Sequence, residues 1–286
     1  MKKLLLTALA VLSLVACKQA PQEEKVMARA VPERADDFIW ENDCVIYRAY
    51  GKGLETGSGK LISPGFDLWV KHPGALIANK LYKDDLENKL SYHKYRGLGK
   101  DCYKVSKTLG AGASAVVIGD TLRFPATNYR SFEILEQTPS KVVFVLSYPQ
   151  WEVAGYKVAL DKKITVEAGS HFCKAEDVYT FEGPEDQLSV AAGIIRHDVV
   201  EEFTTADRVA IWEHASDQSV EPEDGMIGLG LYMPGAASSG ILQGHSALMQ
   251  SVKSGQTVTY WFGSCWSKGG DIPDAKTWMD CVKGLK

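Results

Sequence analysis

Short apolar runs broken by polar turn residues dominate the chain from about residue 45 onward. β-Branched and aromatic residues cluster in these runs, and Gly, Pro, Asn and Asp separate them. The first half predicts strands at 45–47, 66–70, 115–118, 131–135, 141–148, 156–160 and 163–167. The second half predicts strands at 175–181, 188–195, 208–213, 226–233, 247–252 and 257–262. About a dozen strands with closely spaced turn signals predict antiparallel sheets packed on each other.

Helical periodicity is scarce and is clearest at the C-terminus. Residues 271–285 predict a short helix, with Asp271 in a capping position and Pro273 in the first turn. Apolar residues recur there at helical spacing, namely Ile272, Ala275, Trp278, Met279 and Val282. A weaker helical pattern covers 73–87. Over the whole chain, the pattern of apolar and polar residues predicts an all-β fold with a short C-terminal helix.

The N-terminus has the order of a bacterial export signal. Met1-Lys2-Lys3 is cationic, and the apolar stretch 4–12 that follows is too short to span a bilayer. Leu14-Val15-Ala16-Cys17 then resembles the lipobox of bacterial lipoproteins, where cleavage precedes a cysteine that is acylated. Residues 1–16 are therefore predicted to be a signal peptide, with the mature protein anchored in the bacterial cell envelope through lipidated Cys17. An ordinary signal peptide with a chance cysteine is the alternative.

The mature chain is predicted to be a linker followed by a single domain. Residues 17–35 are rich in Ala, Gln, Glu and Pro, which is typical of a flexible linker, and 36–286 form the domain. Removal of residues 1–16 leaves 270 residues with 30 basic and 36 acidic side chains, a formal charge of −6. A mildly acidic chain without basic runs argues against a nucleic-acid partner. Five cysteines remain besides Cys17, and a pair between Cys265 and Cys281 is left open.

Unusual polar and aromatic residues concentrate between residues 40 and 103. Asp67, Trp69 and Lys71 alternate on a predicted strand, so their side chains point to one face. An indole beside charged groups is typical of a sugar site, because CH faces of the sugar pack on the ring and hydroxyls take hydrogen bonds. Arg48, Lys71 and Arg96 would suit a carboxylated or sulfated sugar. A loop held together by structural salt bridges is the alternative.

Candidate acids and bases lie in this region and at two later strand ends. His93 lies in a polar loop, while Arg196-His197-Asp198 and Trp212-Glu213-His214 each end a predicted strand, where sites gather. The expected catalytic residues are His93, Tyr103, Lys71 and His197. The expected substrate-binding residues are Trp40, Glu41, Asn42, Arg48, Asp67, Trp69, Arg96, Asp101 and Glu213. The alternative is that the polar residues at the strand ends are simply solvated and carry no chemistry.

Metal ligation has little support in the spacing of the histidines and cysteines. The sequence contains no His-x-x-x-His and no Cys-x-x-Cys motif, so no metal or other cofactor is expected. Zinc at three histidines with Glu213 is the minority alternative.

Several motifs in order are similar to one protein family. They are Trp40-Glu41-Asn42-Asp43, Gly65-Phe66-Asp67-Leu68-Trp69-Val70-Lys71, Ser91-Tyr92-His93-Lys94, Gly97-x-Gly99-x-Asp101-x-Tyr103, Gly110-Ala111-Gly112 and Trp261-Phe262-Gly263-Ser264-x-Trp266. Over about 32–285, the chain resembles the DUF4861 family of exported proteins from polysaccharide-degrading Bacteroidetes. The resemblance implies a setting of pectin and uronic-acid degradation.

The middle of the chain has a looser resemblance at the level of fold. Residues 141–148, 155–160, 164–167 and 188–193, followed by His197, look like the antiparallel β-supersandwich of galactose-mutarotase-like proteins. That superfamily includes aldose epimerases and polysaccharide lyases, and a strand ending in a histidine faces the sugar. The resemblance implies that His197 or His93 faces a concave sheet that holds a saccharide.

These observations combine into one functional hypothesis. A lipid-anchored envelope protein would act on acidic, uronic-acid-containing oligosaccharides or polysaccharides as a lyase or epimerase. Lys71 or Arg48 would neutralise the uronate carboxylate, and His93 or Tyr103 would serve as base or acid. Hydrolysis would instead need a carboxylate pair, such as Glu41 with Asp67 or Asp101. A non-catalytic glycan-binding lipoprotein and a structural envelope protein without a sugar site are the rival hypotheses.

Overall fold

The computed structural model describes residues 23–56, 60–215 and 224–286. Within these ranges the chain forms three antiparallel sheets and two short α-helices, which confirms the all-β prediction. The predicted signal peptide and Cys17 lie outside the described residues. No helix in the described ranges is long and apolar enough to cross a membrane.

The first sheet has five strands in chain order, each antiparallel to its neighbours. Its strands are β1 (Val26–Val31), β2 (Asp37–Asn42), β3 (Ile46–Ala49), β4 (Phe66–Lys71) and β5 (Gly99–Asp101). A 3₁₀ helix at Lys52–Glu55 follows β3, and α1 (Ala78–Asn88) lies between β4 and β5 in the chain. α1 begins inside the weak helical pattern at 73–87 and ends one residue beyond it.

Strand β1 corrects the predicted linker at 17–35. It pairs with β2 along its whole length, from Val26 opposite Asn42 to Val31 opposite Asp37. Both Val26 and Val31 are buried. The segment has too few bulky apolar residues to form a strand on its own, but the hydrogen bonds of β2 satisfy its backbone groups. The folded domain therefore begins by Val26 and not at residue 36.

The second sheet has eight strands in the order β13-β14-β15-β18-β11-β10-β9-β8. Its strands are β8 (Ser131–Thr138), β9 (Lys141–Val153), β10 (Tyr156–Glu167), β11 (Phe172–Glu182), β13 (Val199–Thr204), β14 (Arg208–His214), β15 (Met226–Tyr232) and β18 (Thr257–Trp266).

The third sheet has the order β16-β17-β12-β6-β7. Its strands are β6 (Ala111–Ile118), β7 (Thr121–Arg123), β12 (Gln187–Ile195), β16 (Ser238–Leu242) and β17 (His245–Lys253).

The main core lies between the sheets and contains Trp40. Its indole is fully buried, with the ring of Phe66 edge-on at 5.1 Å and that of Tyr47 stacked at 5.8 Å. A ring enclosed on its faces and edges has no surface left for a sugar. The structure therefore corrects the substrate-binding role expected for Trp40, which instead contributes to core packing.

The C-terminal helix α2 (Ala275–Lys283) confirms the helix predicted at 271–285, in a shorter form. Its cap is Asp274, whose carboxylate accepts a hydrogen bond from the backbone N–H of Thr277 at 2.8 Å. Trp278 is buried and stacks on Phe172 at 5.2 Å. The helix covers one end of the eight-stranded sheet. The cysteines in the described ranges, Cys44, Cys102, Cys173, Cys265 and Cys281, are free thiols, so Cys265 and Cys281 do not pair.

Candidate functional site

The face that carries Asp67, Trp69 and Lys71 is covered by other parts of the chain. The three side chains share one face of β4, as the alternation predicts, and all three are buried. Tyr92 stacks on Trp69 at 4.8 Å, and Tyr82 of α1 packs on the same indole at 4.9 Å. A saccharide has no access to this face, so the expected binding roles of Asp67 and Trp69 do not fit the structure.

Lys71 and Glu41 hold α1 on the first sheet. The ammonium of Lys71 donates to Oε1 of Glu41 at 2.6 Å and to the carbonyls of Asn42 and Ala75 at 2.8 and 2.6 Å. Three donors with three acceptors leave the ammonium no capacity for a substrate. This is a correction to the catalytic role expected for Lys71.

Glu41 and Asn42 have equally complete sets of partners. The Glu41 carboxylate also accepts the backbone N–H groups of Ile77 and Ala78, at 2.7 and 2.9 Å, where α1 begins. Burial raises the pKa of Glu41, and Lys71 opposes that shift. The Asn42 side chain donates to the carbonyls of Glu167 and Ser170 and accepts from the turn that follows it. Both residues therefore act in the fold, and neither reaches solvent.

Arg48 lies at the centre of a buried charge cluster built from four neighbouring strands. Its guanidinium contacts Asp67 and lies 3.1 Å from Asp101 and 3.8 Å from Asp37. Burial raises the pKa of Asp67 to about 7 and that of Asp101 to about 6, against the attraction of Arg48. This region therefore fits the alternative of structural salt bridges better than it fits an open sugar site. Arg48 and Asp101 therefore lack the solvent access that substrate binding requires.

His93 and Arg96 lie where the loop before β5 reaches the surface. The His93 side chain is 40% exposed, and its Nδ1 lies 3.2 Å from the carbonyl of Asp101 and 3.6 Å from the Asp101 carboxylate. Burial lowers the pKa of His93. Arg96 is exposed. The two side chains have the solvent access that their expected roles require, but the cluster beneath them is closed.

Tyr103, directly after β5, belongs to a different neighbourhood. Its ring is fully buried and meets the imidazole of His197 edge-on at 5.1 Å, and its hydroxyl donates to the carbonyl of Ile195 at 3.4 Å. Burial raises the pKa of Tyr103 well above its ordinary value. A hydroxyl that stays protonated and enclosed is a poor acid or base. Tyr103 therefore positions His197.

A cavity of about 410 Å³ opens where β12 and β14 end. We call it the histidine pocket. It is lined by Lys104, Val105, Ser106, Thr108, Ile195, His197, Asp198, His214 and Ala215. Residues 104–108 form one wall, and the residues that follow β12 and end β14 form the other. The pocket thus collects polar side chains from three separate segments of the chain.

Two histidine–carboxylate pairs cross between the ends of β12 and β14. Nδ1 of His197 lies 2.8 Å from Oε1 of the fully buried Glu213, and Nδ1 of His214 lies 2.7 Å from Oδ2 of Asp198. The backbone N–H of His197 donates to Glu213 at 3.1 Å, and that of His214 donates to the carbonyl of Asp198 at 3.1 Å. The antiparallel pairing of β13 with β14 sets Val199 opposite Glu213. That register places each histidine beside the carboxylate of the other strand end.

The two imidazoles differ in what their second nitrogen meets. Nε2 of His197 lies 2.9 Å from the carbonyl of Lys104, so both of its nitrogens face acceptors, and only the doubly protonated ring donates to both. Nε2 of His214 has no hydrogen-bond partner within the described ranges, and its side chain is 56% exposed. In the neutral ring, Nδ1–H donates to the Asp198 carboxylate, so Nε2 carries the lone pair. The histidine pocket therefore presents a proton donor and a proton acceptor.

The structure brings together part of the expected site and adds two residues to it. His197 lines the histidine pocket, and the buried Glu213 and Tyr103 contact its imidazole from the interior. The residues around Arg48 form a separate buried cluster. His214 and Asp198 belong to the two strand-end motifs named above, but neither was assigned an individual role. The sequence shows His-Asp after one predicted strand and Glu-His at the end of another. A single sequence does not reveal that these two strand ends pair with each other.

The histidines and carboxylates of the histidine pocket include ligand types that zinc uses. In the parts of the chain that the structure describes, no three His, Cys, Asp or Glu side chains converge as metal ligands would. The carboxylates of the pocket are each engaged by one imidazole. The arrangement is that of paired acid–base groups.

Comparison with known proteins gives one family and one relative. The model of a domain of unknown function, DUF4861, matches residues 12–286, which is nearly the whole chain. "Uncharacterized protein P7" of Formosa agariphila is 28% identical over 275 residues. That match covers 90% of this chain and 66% of the relative, so the chain spans just under two thirds of that protein's length.

Proposed function

The chain belongs to the DUF4861 family, and we propose that it acts on uronic-acid-containing oligosaccharides by proton transfer in the histidine pocket. The observation that carries the proposal is the crossed pairing of His197 with Glu213 and of His214 with Asp198. One imidazole then holds an open Nε2, and the other is set to donate. Two such groups in one pocket suit the chemistry of a lyase or an epimerase.

His214 is the base in this proposal. The hydrogen on C5 of a uronate is acidic because the adjacent carboxylate delocalises the charge that its removal leaves. Nε2 of His214 takes this proton, and Asp198 stabilises the imidazolium that forms. Exposure of the His214 side chain gives the sugar direct access to the base.

His197 is the acid in this proposal. In an elimination, the electron pair left at C5 forms the C4–C5 double bond as the C4–O bond breaks. The leaving oxygen replaces the Lys104 carbonyl as the acceptor of Nε2–H of His197 and takes that proton. In an epimerisation, the proton returns to the opposite face of C5 and no bond to oxygen breaks. Glu213 then holds the neutral ring in place through Nδ1.

The charge that develops on the uronate carboxylate meets positive groups in the pocket. The His197 imidazolium and Lys104 both line it. Charge stabilisation of this kind is usually the largest contribution to such reactions. These two groups take the place of Lys71 and Arg48, which are enclosed in the interior.

The test is incubation of the purified protein with pectin-derived and glycosaminoglycan oligosaccharides. A lyase forms an unsaturated uronate that absorbs in the ultraviolet, and an epimerase incorporates deuterium at C5 in heavy water, visible by NMR. We expect His214→Asn to lose this activity and His93→Asn to keep it. Absence of product and of exchange with every uronate substrate would refute the catalytic proposal, and binding without turnover would support a non-catalytic glycan-binding protein instead.

We also place the protein at the bacterial envelope, tethered through Cys17. The support is the sequence Leu14-Val15-Ala16-Cys17 behind a cationic and apolar leader. Expression in a bacterium fed a labelled fatty acid should label the wild-type protein and not the Cys17→Ser variant. Equal labelling of both proteins, or of neither, would contradict the anchor.

A further inference from the structure

A second cavity is lined by a residue of the same bend, 106–108, that contributes to the histidine pocket. It has a volume of about 740 Å³, and we call it the basic groove. Lys104, Ser106 and Thr108 line the histidine pocket, whereas Lys107, from the same turn, lines the basic groove. Consecutive residues of one bend therefore contribute to both cavities.

The charged side chains that line the basic groove have an excess of positive charge. They are Lys107, Arg123 and Glu152. Lys107 and Arg123 are exposed and make no ion pair with the described residues. Glu152 lies directly opposite Lys157 in the pairing of β9 with β10. The groove thus offers two cations whose counter-charges the described parts of the chain do not supply.

The neutral polar groups of the groove are donors as well. Trp151 is 6% exposed, and its indole N–H has no hydrogen-bond partner in the described ranges. The side-chain oxygen of Gln243 accepts from the backbone N–H of Leu122 at 2.7 Å, while its amide nitrogen donates to no described residue. A buried donor without an acceptor is costly, so a ligand rich in oxygen acceptors is the fitting partner. Phe124, which is partly exposed, also supplies a ring on which a sugar face can pack.

We infer that the basic groove binds further residues of the same acidic polysaccharide whose reacting residue lies in the histidine pocket. This inference rests on the proposed function for the choice of a uronate chain. The bend at 106–108, whose consecutive residues line the two cavities, places them side by side along the chain, and the excess of cations and donors gives the chemistry. A carboxylate on each sugar residue matches Arg123 and Lys107, and ring oxygens and hydroxyls match Trp151 and Gln243.

The test compares binding of a uronate disaccharide and a uronate hexasaccharide by calorimetry. The background is His214→Asn, so that substrate is not consumed. We expect the hexasaccharide to bind more tightly than the disaccharide, and the double variant Lys107→Ala/Arg123→Ala to weaken hexasaccharide binding about tenfold or more. Disaccharide binding should change by less than about twofold. Lys276→Ala/Lys283→Ala on α2 is the control, because it removes the same charge from a helix that lines neither cavity. It should leave both affinities unchanged.

A second variant tests the neutral donor. Trp151→Phe keeps a ring and removes the indole N–H, so it should weaken hexasaccharide binding while the melting temperature stays close to that of the wild type. A hexasaccharide whose carboxylates have been reduced to alcohols is neutral. It should bind no more tightly than the disaccharide.

Three results would overturn the inference. They are equal affinity for the two lengths, an unchanged hexasaccharide affinity in Lys107→Ala/Arg123→Ala, and equal binding of the neutral chain. Each of them leaves the proton-transfer chemistry of the histidine pocket intact. Failure of the proposed function has a different signature, because the wild-type protein would then form no product while the groove variants still changed the binding of long chains.

Discussion

Nδ1 of His197 lies 2.8 Å from the carboxylate of Glu213, which is fully buried. Nε2 of the same imidazole lies 2.9 Å from a backbone carbonyl. A buried carboxylate needs a charged or strongly donating partner, and an imidazole between two acceptors supplies it when both nitrogens carry protons. The two residues are therefore one unit, and a change in either affects both folding and proton transfer.

The Glu213→Gln variant tests this unit. It preserves the shape of the side chain and removes its charge, so the hydrogen bond to His197 becomes a neutral one. We expect the free energy of unfolding to fall by about 1–3 kcal/mol, as measured by urea denaturation. Glu202→Gln is the matched control, since Glu202 is 48% exposed and pairs with Arg196 at the surface. That control should change stability by less than about 0.5 kcal/mol, and equal losses in the two variants would contradict a special role for Glu213.

Loss of the His214 imidazole separates catalysis from stability. His214→Asn removes the base from an exposed position, so the melting temperature should stay near that of the wild type. Turnover of a uronate oligosaccharide should fall on the order of 10²–10⁴-fold, which is the usual contribution of general acid–base catalysis. Asp198→Asn should reduce turnover in the same direction, because the imidazolium then loses its charged partner. Full activity in His214→Asn would remove this residue from the mechanism.

Acidity should stabilise the protein through Asp67. Its pKa in the folded protein is about 7, against an ordinary 3.8, because burial disfavours the charged form. Between these values the folded state binds more protons than the unfolded state, so the free energy of unfolding falls as pH rises toward 7. Asp101, with a pKa of about 6, acts in the same direction. His93 acts in the opposite direction, since its lowered pKa destabilises the fold as pH falls.

The Asp67→Asn variant checks that pH dependence. Urea denaturation at a series of pH values should give a flatter profile between about pH 4 and 7 than the wild type gives. Asp120→Asn is a surface control that should leave the profile unchanged. A wild-type profile that rises steadily from pH 4 to 7 would show that other groups outweigh Asp67.

The ion pair of Lys71 with Glu41 should matter for folding. Lys71→Met keeps much of the volume but leaves the Glu41 carboxylate buried without its cation. Removing one partner of a buried pair costs about 3–5 kcal/mol, and urea denaturation measures the loss. Hydrogen exchange in α1 should accelerate, because Glu41 also holds the N–H groups that begin this helix. The double variant Glu41→Gln/Lys71→Met should recover part of the loss, and Lys80→Met, on the exposed side of α1, should cost little.

Thiol reactivity should single out Cys281. It is the exposed member of the five cysteines in the described ranges. Cys44 is half-buried, and burial raises its pKa to about 11, which suppresses the reactive thiolate. A thiol reagent should therefore label the folded Cys17→Ser protein with one fast phase, and a further Cys281→Ser substitution should abolish that phase. A fast phase that survives this substitution would place another accessible thiol in the folded chain.

Local patterns predicted many of the strands, and their failures have physical causes. Strands β1, β2, β5, β7, β13 and β16 were missed. β5, β7 and β16 have only three to five residues, and all six strands depend on a neighbouring strand for their hydrogen bonds. The runs at 156–160 and 163–167 are one strand, β10. Lys162 lies within it, fully buried, where its ammonium donates to Asp177 on the adjacent β11 at 2.8 Å. A charged residue inside a strand is read as a break unless its partner on the next strand is known.

Sequence by itself determined the all-β class, the C-terminal helix and the common face of Asp67, Trp69 and Lys71. These follow from the period of two along a strand and of 3.6 along a helix, which are local properties. Only the tertiary structure decided that α1 and Tyr92 cover that face and turn an expected sugar site into a buried ion cluster. It also decided that His197 pairs with Glu213 and His214 with Asp198. Burial and cross-strand pairing depend on which distant segments pack together, and alternation along one strand contains no information about its partner.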